Sequence, residues 1–160
     1  MGLVYDYIGV GFGPSNLALA IATDEFAQRN GREPTFCFVE RKPVFSWHEG
    51  MLIDGSTMQI SFLKDLATLR NPASPFTFIS YLKARGRLED FVNLKTFFPS
   101  REEYNDYLSW AASAFAERVH YGEEVIAIEP FYSAGECVGA EVVSRTADGQ
   151  VVRRRGRNLV

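Results

Sequence analysis

The first forty residues restrict the fold more than any other stretch. Tyr5 to Val10 is apolar and β-favouring, and it runs directly into Gly9-Val10-Gly11-Phe12-Gly13-Pro14-Ser15-Asn16. This is a strand entering a glycine-rich loop. From Pro14 to about Arg29 the period becomes helical, with Leu17, Ala18, Ile21 and Ala22 on one face, Pro14 suited to the first turn and Gly31 just past the end. Thr35 to Val39 follows as an unbroken apolar run, as expected of a strand buried on both faces in a parallel sheet. Glu40 closes it. Residues 1–42 therefore read as a βαβ unit, and the chain as an α/β fold.

Residues 43–118 mix aromatics, prolines and polar residues without a sustained strand period. They read as a helical insertion carrying the substrate side of a site. Within it, Ser74-Pro75 is expected to cap a helix over Phe76 to Ala84 that Gly86 stops. Ser100 with Glu103 makes a capping-box pattern, opening a helix in which Tyr104, Tyr107, Leu108, Ala111 and Phe115 recur at helical spacing. Residues 119–160 read as return strands: Glu124 to Ile128, then Val138 to Arg145 and Gln150 to Arg155 around Ala147-Asp148-Gly149. The last two form an expected β-hairpin. Asn158-Leu159-Val160 reads as the start of another strand, and the basic run Arg153, Arg154, Arg155 as a solvated strand or loop.

With 46% hydrophobic and 23% charged residues, the chain has enough apolar material for a real core. Its net charge of -3 gives no electrostatic footprint for nucleic acid. Cys37 and Cys137 form no Cys-x-x-Cys pair, so neither a zinc site nor a redox disulfide is expected, and a reducing, cytoplasmic setting fits. No signal-like segment is expected, and no stretch approaches the length of a membrane span.

A dinucleotide needs backbone amides close to its pyrophosphate, and glycines permit that approach because no Cβ intervenes. A helix beginning at Pro14 would offer unpaired N–H groups and its dipole to the negative charge. Glu40, ending the adjacent strand, is placed to accept hydrogen bonds from an adenosine ribose. The spacing departs from the usual one, because Pro14 stands where a third glycine is expected. A plain tight turn is the alternative. The pattern does not separate FAD from NAD.

Four segments carry a more specific signal: Gly9 to Leu17, then Trp47-His48, then Met58-Gln59-Ile60-Ser61-Phe62-Leu63-Lys64-Asp65-Leu66, then Arg70-Asn71-Pro72. With Ser100 to Tyr104 and Asp106-Tyr107-Leu108, they resemble the microbial ornithine and lysine N-hydroxylases of hydroxamate siderophore synthesis, in order and over essentially the whole chain. The resemblance implies the N-terminal portion of a flavoprotein with two dinucleotide-binding domains, the first being a Rossmann-like FAD-binding domain. It implies that FAD activates O2, that NADPH supplies the hydride, and that one oxygen atom passes to a neutral side-chain amine. L-Ornithine is the expected substrate and L-lysine the alternative, since the residues around Gln59 and Arg70 look closer to ornithine members. Family members are often tetramers, and their NADPH loop comes later in the chain, so these 160 residues alone are expected to be an inactive FAD-binding piece.

Carried over residue by residue, the resemblance implies that Gly9, Gly11, Gly13, Pro14, Ser15 and Asn16 hold the FAD pyrophosphate and Glu40 the ribose. Arg41 through Trp47 and His48 would run along the cofactor, Gln59 would lie beside the flavin ring, and Val125 would contact the adenine end. On pattern alone Lys64, in the apolar run Ile60 to Leu66, reads as an exposed lysine paired with Asp65. The resemblance instead implies that it pairs with the substrate carboxylate, where a charge-assisted hydrogen bond is strong. No general base and no metal ligand is expected. A flavin-dependent disulfide reductase is disfavoured, because it requires a cysteine pair.

Overall fold

The structure, a computed structural model, describes residues 3–160. Six strands form one sheet in the order β3-β2-β1-β6-β5-β4. β1 (Val4–Val10), β2 (Phe36–Glu40) and β3 (Val119–Tyr121) are parallel neighbours. β4 (Glu123–Ser133), β5 (Glu136–Thr146) and β6 (Val151–Leu159) form an antiparallel meander, and β6 also runs parallel to β1. The βαβ expectation holds: α1 (Pro14–Asn30) begins with Pro14 in its first turn, and it ends at Gly31, whose left-handed backbone (φ 64°) lets its N–H donate to the Ala27 carbonyl.

The two-residue period of β2 explains why it is apolar throughout. Phe36 and Phe38 join the larger core beneath α1 and the insertion, whereas Cys37 and Val39 pack with Ile8 and Val142 on the opposite face. Val125 of β4 also lies against that second cluster. The meander therefore covers the face that the helices leave open.

The insertion contains α2 (Phe78–Ala84), α3 (Leu88–Asn93) and α4 (Arg101–Ser113). α4 agrees with the capping-box expectation at its Ser100 half, where the Ser100 hydroxyl accepts the Glu103 N–H at 3.0 Å. The Glu103 carboxylate meets Arg87 at 3.1 Å. Tyr104, Tyr107, Leu108 and Ala111 are buried as expected, with Phe115 buried just past the helix end. α2 starts later than expected. Thr77 caps it by accepting the Ser80 N–H, while the Ser74 hydroxyl accepts the Phe76 N–H in the turn before it.

Two further expectations need correction. Asn158 and Leu159 do not open a new strand: they are the far end of β6, where it leaves β5 and pairs with β1. Nor is the arginine run uniformly solvated, because strand alternation divides it. Arg153 and Arg155 are about half exposed and pair with Glu141 at 2.6 and 2.7 Å. Arg154 turns inward, 12% exposed, and grips both oxygens of Glu123 at 2.7 and 3.0 Å. The Ser144 hydroxyl donates to the same carboxylate at 2.7 Å. Burial alone would raise the Glu123 pKa, but these two partners outweigh it and hold the group below the usual carboxylate range. No helix among the described residues is long and apolar enough to cross a membrane.

Candidate functional site

β1 ends at Val10, and the glycine loop turns above the sheet. Gly11 N–H donates to the Val39 carbonyl at 2.8 Å, and its φ of 83° lies in the region that excludes most side chains. Gly9 makes room for the core beneath: a Cβ there would lie 2.3 Å from a ring carbon of Phe38. Gly13 differs from both. Its φ of -88° suits any residue, and a Cβ there would meet nothing within 4 Å.

Gly13 is also the N-cap of α1, and no side chain caps that helix. Pro14 has no N–H, so the amides of Gly13, Ser15 and Asn16 begin the helix without intrahelical acceptors. The Asn16 side chain is otherwise engaged, donating to the Gly11 carbonyl at 2.8 Å and so pinning the loop. Glu40 accepts the Phe12 N–H at 2.7 Å on one oxygen and the Lys42 N–H at 2.8 Å on the other. About half of its acceptor capacity remains. An open space before an uncapped helix, flanked by a carboxylate with free lone pairs, fits a pyrophosphate and an adjoining ribose.

Beside the start of α1 lies a cavity of about 310 Å³, lined by Pro14, Ser15 and Ala18 on one side and Trp47, Met58, Lys64 and Tyr104 among others. Trp47 is half-buried, with its ring 5.8 Å from Tyr104 and the Arg101 guanidinium 5.8 Å above it. Met58 is fixed by its N–H, which donates to the Pro99 carbonyl at 2.9 Å. Burial, with the Asp65 charge adding to it, pushes the Tyr104 hydroxyl up to about 12, so it stays protonated at neutral pH.

Lys64 ends a short 3₁₀ turn, Phe62–Lys64, in which the Ser61 hydroxyl accepts the Leu63 N–H. Its side chain is exposed and lines the cavity. The pairing with Asp65 that the sequence pattern favours does not form. Among the described residues Lys64 takes part in no ion pair, and the Asp65 carboxylate accepts hydrogen bonds from Ala67, Thr68 and Phe78 instead.

The structure thus brings Pro14, Ser15, Trp47 and Lys64 to one cavity. Gln59 and His48 are exposed and do not line it, although the His48 ring lies 5.0 Å from Trp47. Arg41 and Val125 do not line it either: Arg41 is exposed, 3.8 Å from Glu124, and Val125 packs on the second core cluster. Met58, Tyr104 and Leu108 line the cavity without having been marked as site residues. Tyr104 and Leu108 lie at core positions of an amphipathic helix, and that pattern carries no sign that a core residue is shared with a cavity.

Residues 3–160 match the family model of L-lysine 6-monooxygenase/L-ornithine 5-monooxygenase. An L-ornithine N(5)-monooxygenase of Burkholderia cepacia is 56% identical over 158 residues, covering 98% of this chain and 35% of the relative. Ornithine hydroxylase from Pseudomonas aeruginosa is 52% identical with a TM-score of 0.93, over 98% of this chain and 38% of that one. An ornithine N-hydroxylase from Kutzneria sp. 744, solved with reduced FAD, NADP+ and L-ornithine, is 45% identical with a TM-score of 0.90, over 98% of this chain and 36% of that one. The chain spans 35% of the length of the Burkholderia relative. By sequence and by fold, the chain belongs to the L-lysine 6-monooxygenase/L-ornithine 5-monooxygenase family.

Proposed function

We propose that the enzyme carrying this chain is an FAD- and NADPH-dependent monooxygenase that uses O2 to hydroxylate the N5 amine of L-ornithine for hydroxamate siderophore synthesis. In this reading residues 1–42 hold the dinucleotide, 43–118 form the active-site insertion and 119–160 return the chain to the sheet. The observation that carries it is one juxtaposition. The uncapped start of α1 and the Lys64 ammonium share a single cavity, so an anionic cofactor and an amino-acid carboxylate find their counter-groups side by side. Ornithine is preferred to lysine because the relatives described above are named for ornithine. The family resemblance supports a cytoplasmic homotetramer.

When bound, FAD supplies hydride acceptance from NADPH and the activation of oxygen. The protein's part is binding and orientation. The amides of Gly13, Ser15 and Asn16, with the α1 dipole, meet the pyrophosphate. Glu40 offers its remaining lone pairs to the ribose, and Arg41, Trp47, His48, Gln59 and Val125 are assigned to the cofactor's length. Lys64 takes the substrate carboxylate. The amine that reacts must be neutral, and an alkyl ammonium with a pKa of about 10.4 is only roughly 0.4% neutral at pH 8. No cavity residue is suited to remove that proton: Tyr104 is itself protonated, and the Asp65 carboxylate is committed to backbone donors. Holding the amine in position is therefore the larger contribution.

The test is turnover of the full-length enzyme with each amino acid, scored as hydroxylated product. A difference of one methylene in a shaped site is worth about 1–3 kcal/mol. Ornithine should therefore show a kcat/KM for product roughly tenfold or more above that of lysine, with lysine releasing peroxide. A higher kcat/KM for lysine would overturn the substrate assignment.

A further inference from the structure

Resting on the reading of Lys64 as the carboxylate partner, we infer that Asp65 is a positioning residue that aims Lys64 and keeps its charge available. The two are adjacent in sequence and line the same cavity, yet their charges are not spent on each other. Oδ1 of Asp65 accepts the N–H groups of Ala67 at 3.0 Å and Thr68 at 2.6 Å. Oδ2 accepts the Thr68 hydroxyl at 2.7 Å and the Phe78 N–H, at the start of α2, also at 2.7 Å. A carboxylate offers about four acceptor positions, and all of them are filled.

Two consequences follow for Lys64. Asp65 keeps its charge but has no acceptor position left to offer, so the Lys64 ammonium forms no ion pair with it and remains free for an incoming carboxylate. Its direction is also set from both sides. Upstream, its own N–H is held by the Ser61 carbonyl at 2.9 Å. Downstream, the chain is tied at Asp65 by those four bonds and at Leu66, whose N–H donates to the buried Tyr107 hydroxyl at 3.1 Å. The same hydroxyl donates to the Phe76 carbonyl at 2.9 Å, so the segment after Lys64 is locked to both α2 and α4. An acidic side chain is needed here because four donors converge on it. An asparagine would present its own NH2 group to half of them.

Charge and position predict opposite signs for Asp65→Asn, which makes the inference testable. Removing a negative charge beside Lys64 should by Coulomb's law strengthen its hold on a carboxylate and lower the ornithine KM. Loosening the turn should misplace the ammonium and raise it. The experiment measures flavin content and ornithine KM for the full-length holoenzyme and its Asp65→Asn, Lys64→Ala and double variants. We expect Asp65→Asn to keep its flavin and to raise KM about tenfold, and to add less than about twofold in the Lys64→Ala background, because residues acting through one contact are not additive.

An unchanged or lowered KM in Asp65→Asn would overturn the inference. So would an undiminished Asp65→Asn effect in the Lys64→Ala background, since that would mark a general disturbance of the cavity. Should Lys64→Ala itself leave KM unchanged, the reading of Lys64 would fall, an outcome distinct from a Lys64→Ala effect without an Asp65→Asn effect, which would overturn this inference alone. Where Asp65→Asn fails to fold, Thr68→Val removes one donor and leaves the carboxylate. It should raise KM in the same direction by about threefold, and an unchanged KM there counts equally against the inference.

Discussion

The enzyme with Gly13→Val should purify folded but without its yellow flavin. Gly13 is the loop position at which a side chain would touch no protein atom and would enter only the space proposed for the cofactor. Its backbone is extended, so valine is not strained there, and a Cβ would touch no protein atom within 4 Å. The expected loss to the helix is that of an unfavourable N-cap, about 1 kcal/mol, too little to unfold a domain of ordinary stability. A branched side chain in the path of the pyrophosphate would instead remove the close approach on which binding depends. Gly11 would be a poorer choice, because its φ of 83° makes any substitution there a folding defect as well. Far-UV dichroism together with flavin absorbance of the purified protein reads both properties. A folded Gly13→Val enzyme with full flavin occupancy would show that the dinucleotide lies elsewhere.

Lys64→Ala should raise the ornithine KM by roughly 30-fold or more while flavin content stays near that of the wild type. The size of the effect distinguishes two situations. An ion pair left in contact with water contributes about 0–1 kcal/mol, which is less than about sixfold. Removing one partner of a desolvated pair costs about 2–5 kcal/mol, of which 2 kcal/mol is already roughly 30-fold. Lys64 is exposed in this chain, so the larger figure requires the bound amino acid and flavin to exclude water from the cavity. A ligand without the carboxylate supplies the control. 1,4-Diaminobutane, measured by its inhibition constant, should lose far less affinity in Lys64→Ala than ornithine does. Equal losses for both would make Lys64 a general support of the cavity.

What could be read from the sequence follows the range of the interactions involved. The β1-α1-β2 unit was legible because its signals are local: Pro14 and Gly31 punctuate the helix, and the alternation of Phe36 and Phe38 with Cys37 and Val39 makes one continuous apolar run. α4 was legible for the same reason, through Ser100 and a helical stripe of aromatics. α3 is only six residues long with no side-chain cap, and β3 only three, so neither leaves a period to detect.

The features that escaped depend on partners distant in sequence. Arg154 turns inward because Glu123 and Ser144 wait for it on β4 and β5, which a run of three arginines does not disclose. Glu25 is buried in α1 because Arg70, from the Arg70-Asn71-Pro72 segment, meets it there. Asp65 looks like a natural partner for Lys64 until Phe78, thirteen residues on, claims one of its oxygens. Within the site, the glycine loop could be read from the sequence pattern, whereas Lys64 was singled out only by the family resemblance. Their meeting in one cavity, and the contribution of Met58 and Tyr104 to its walls, required the fold.

In the proposed function this chain builds the FAD side of an enzyme that places one atom of O2 on the side-chain nitrogen of ornithine. The most direct measurement supplies the full-length protein with FAD, NADPH, L-ornithine and isotopically labelled O2, and analyses the amino acid by mass spectrometry. Hydroxyornithine carrying a single labelled oxygen on the side-chain nitrogen is expected, formed only when all four components are present. NADPH oxidation that yields peroxide alone with ornithine, or a product whose oxygen comes from water, would contradict it.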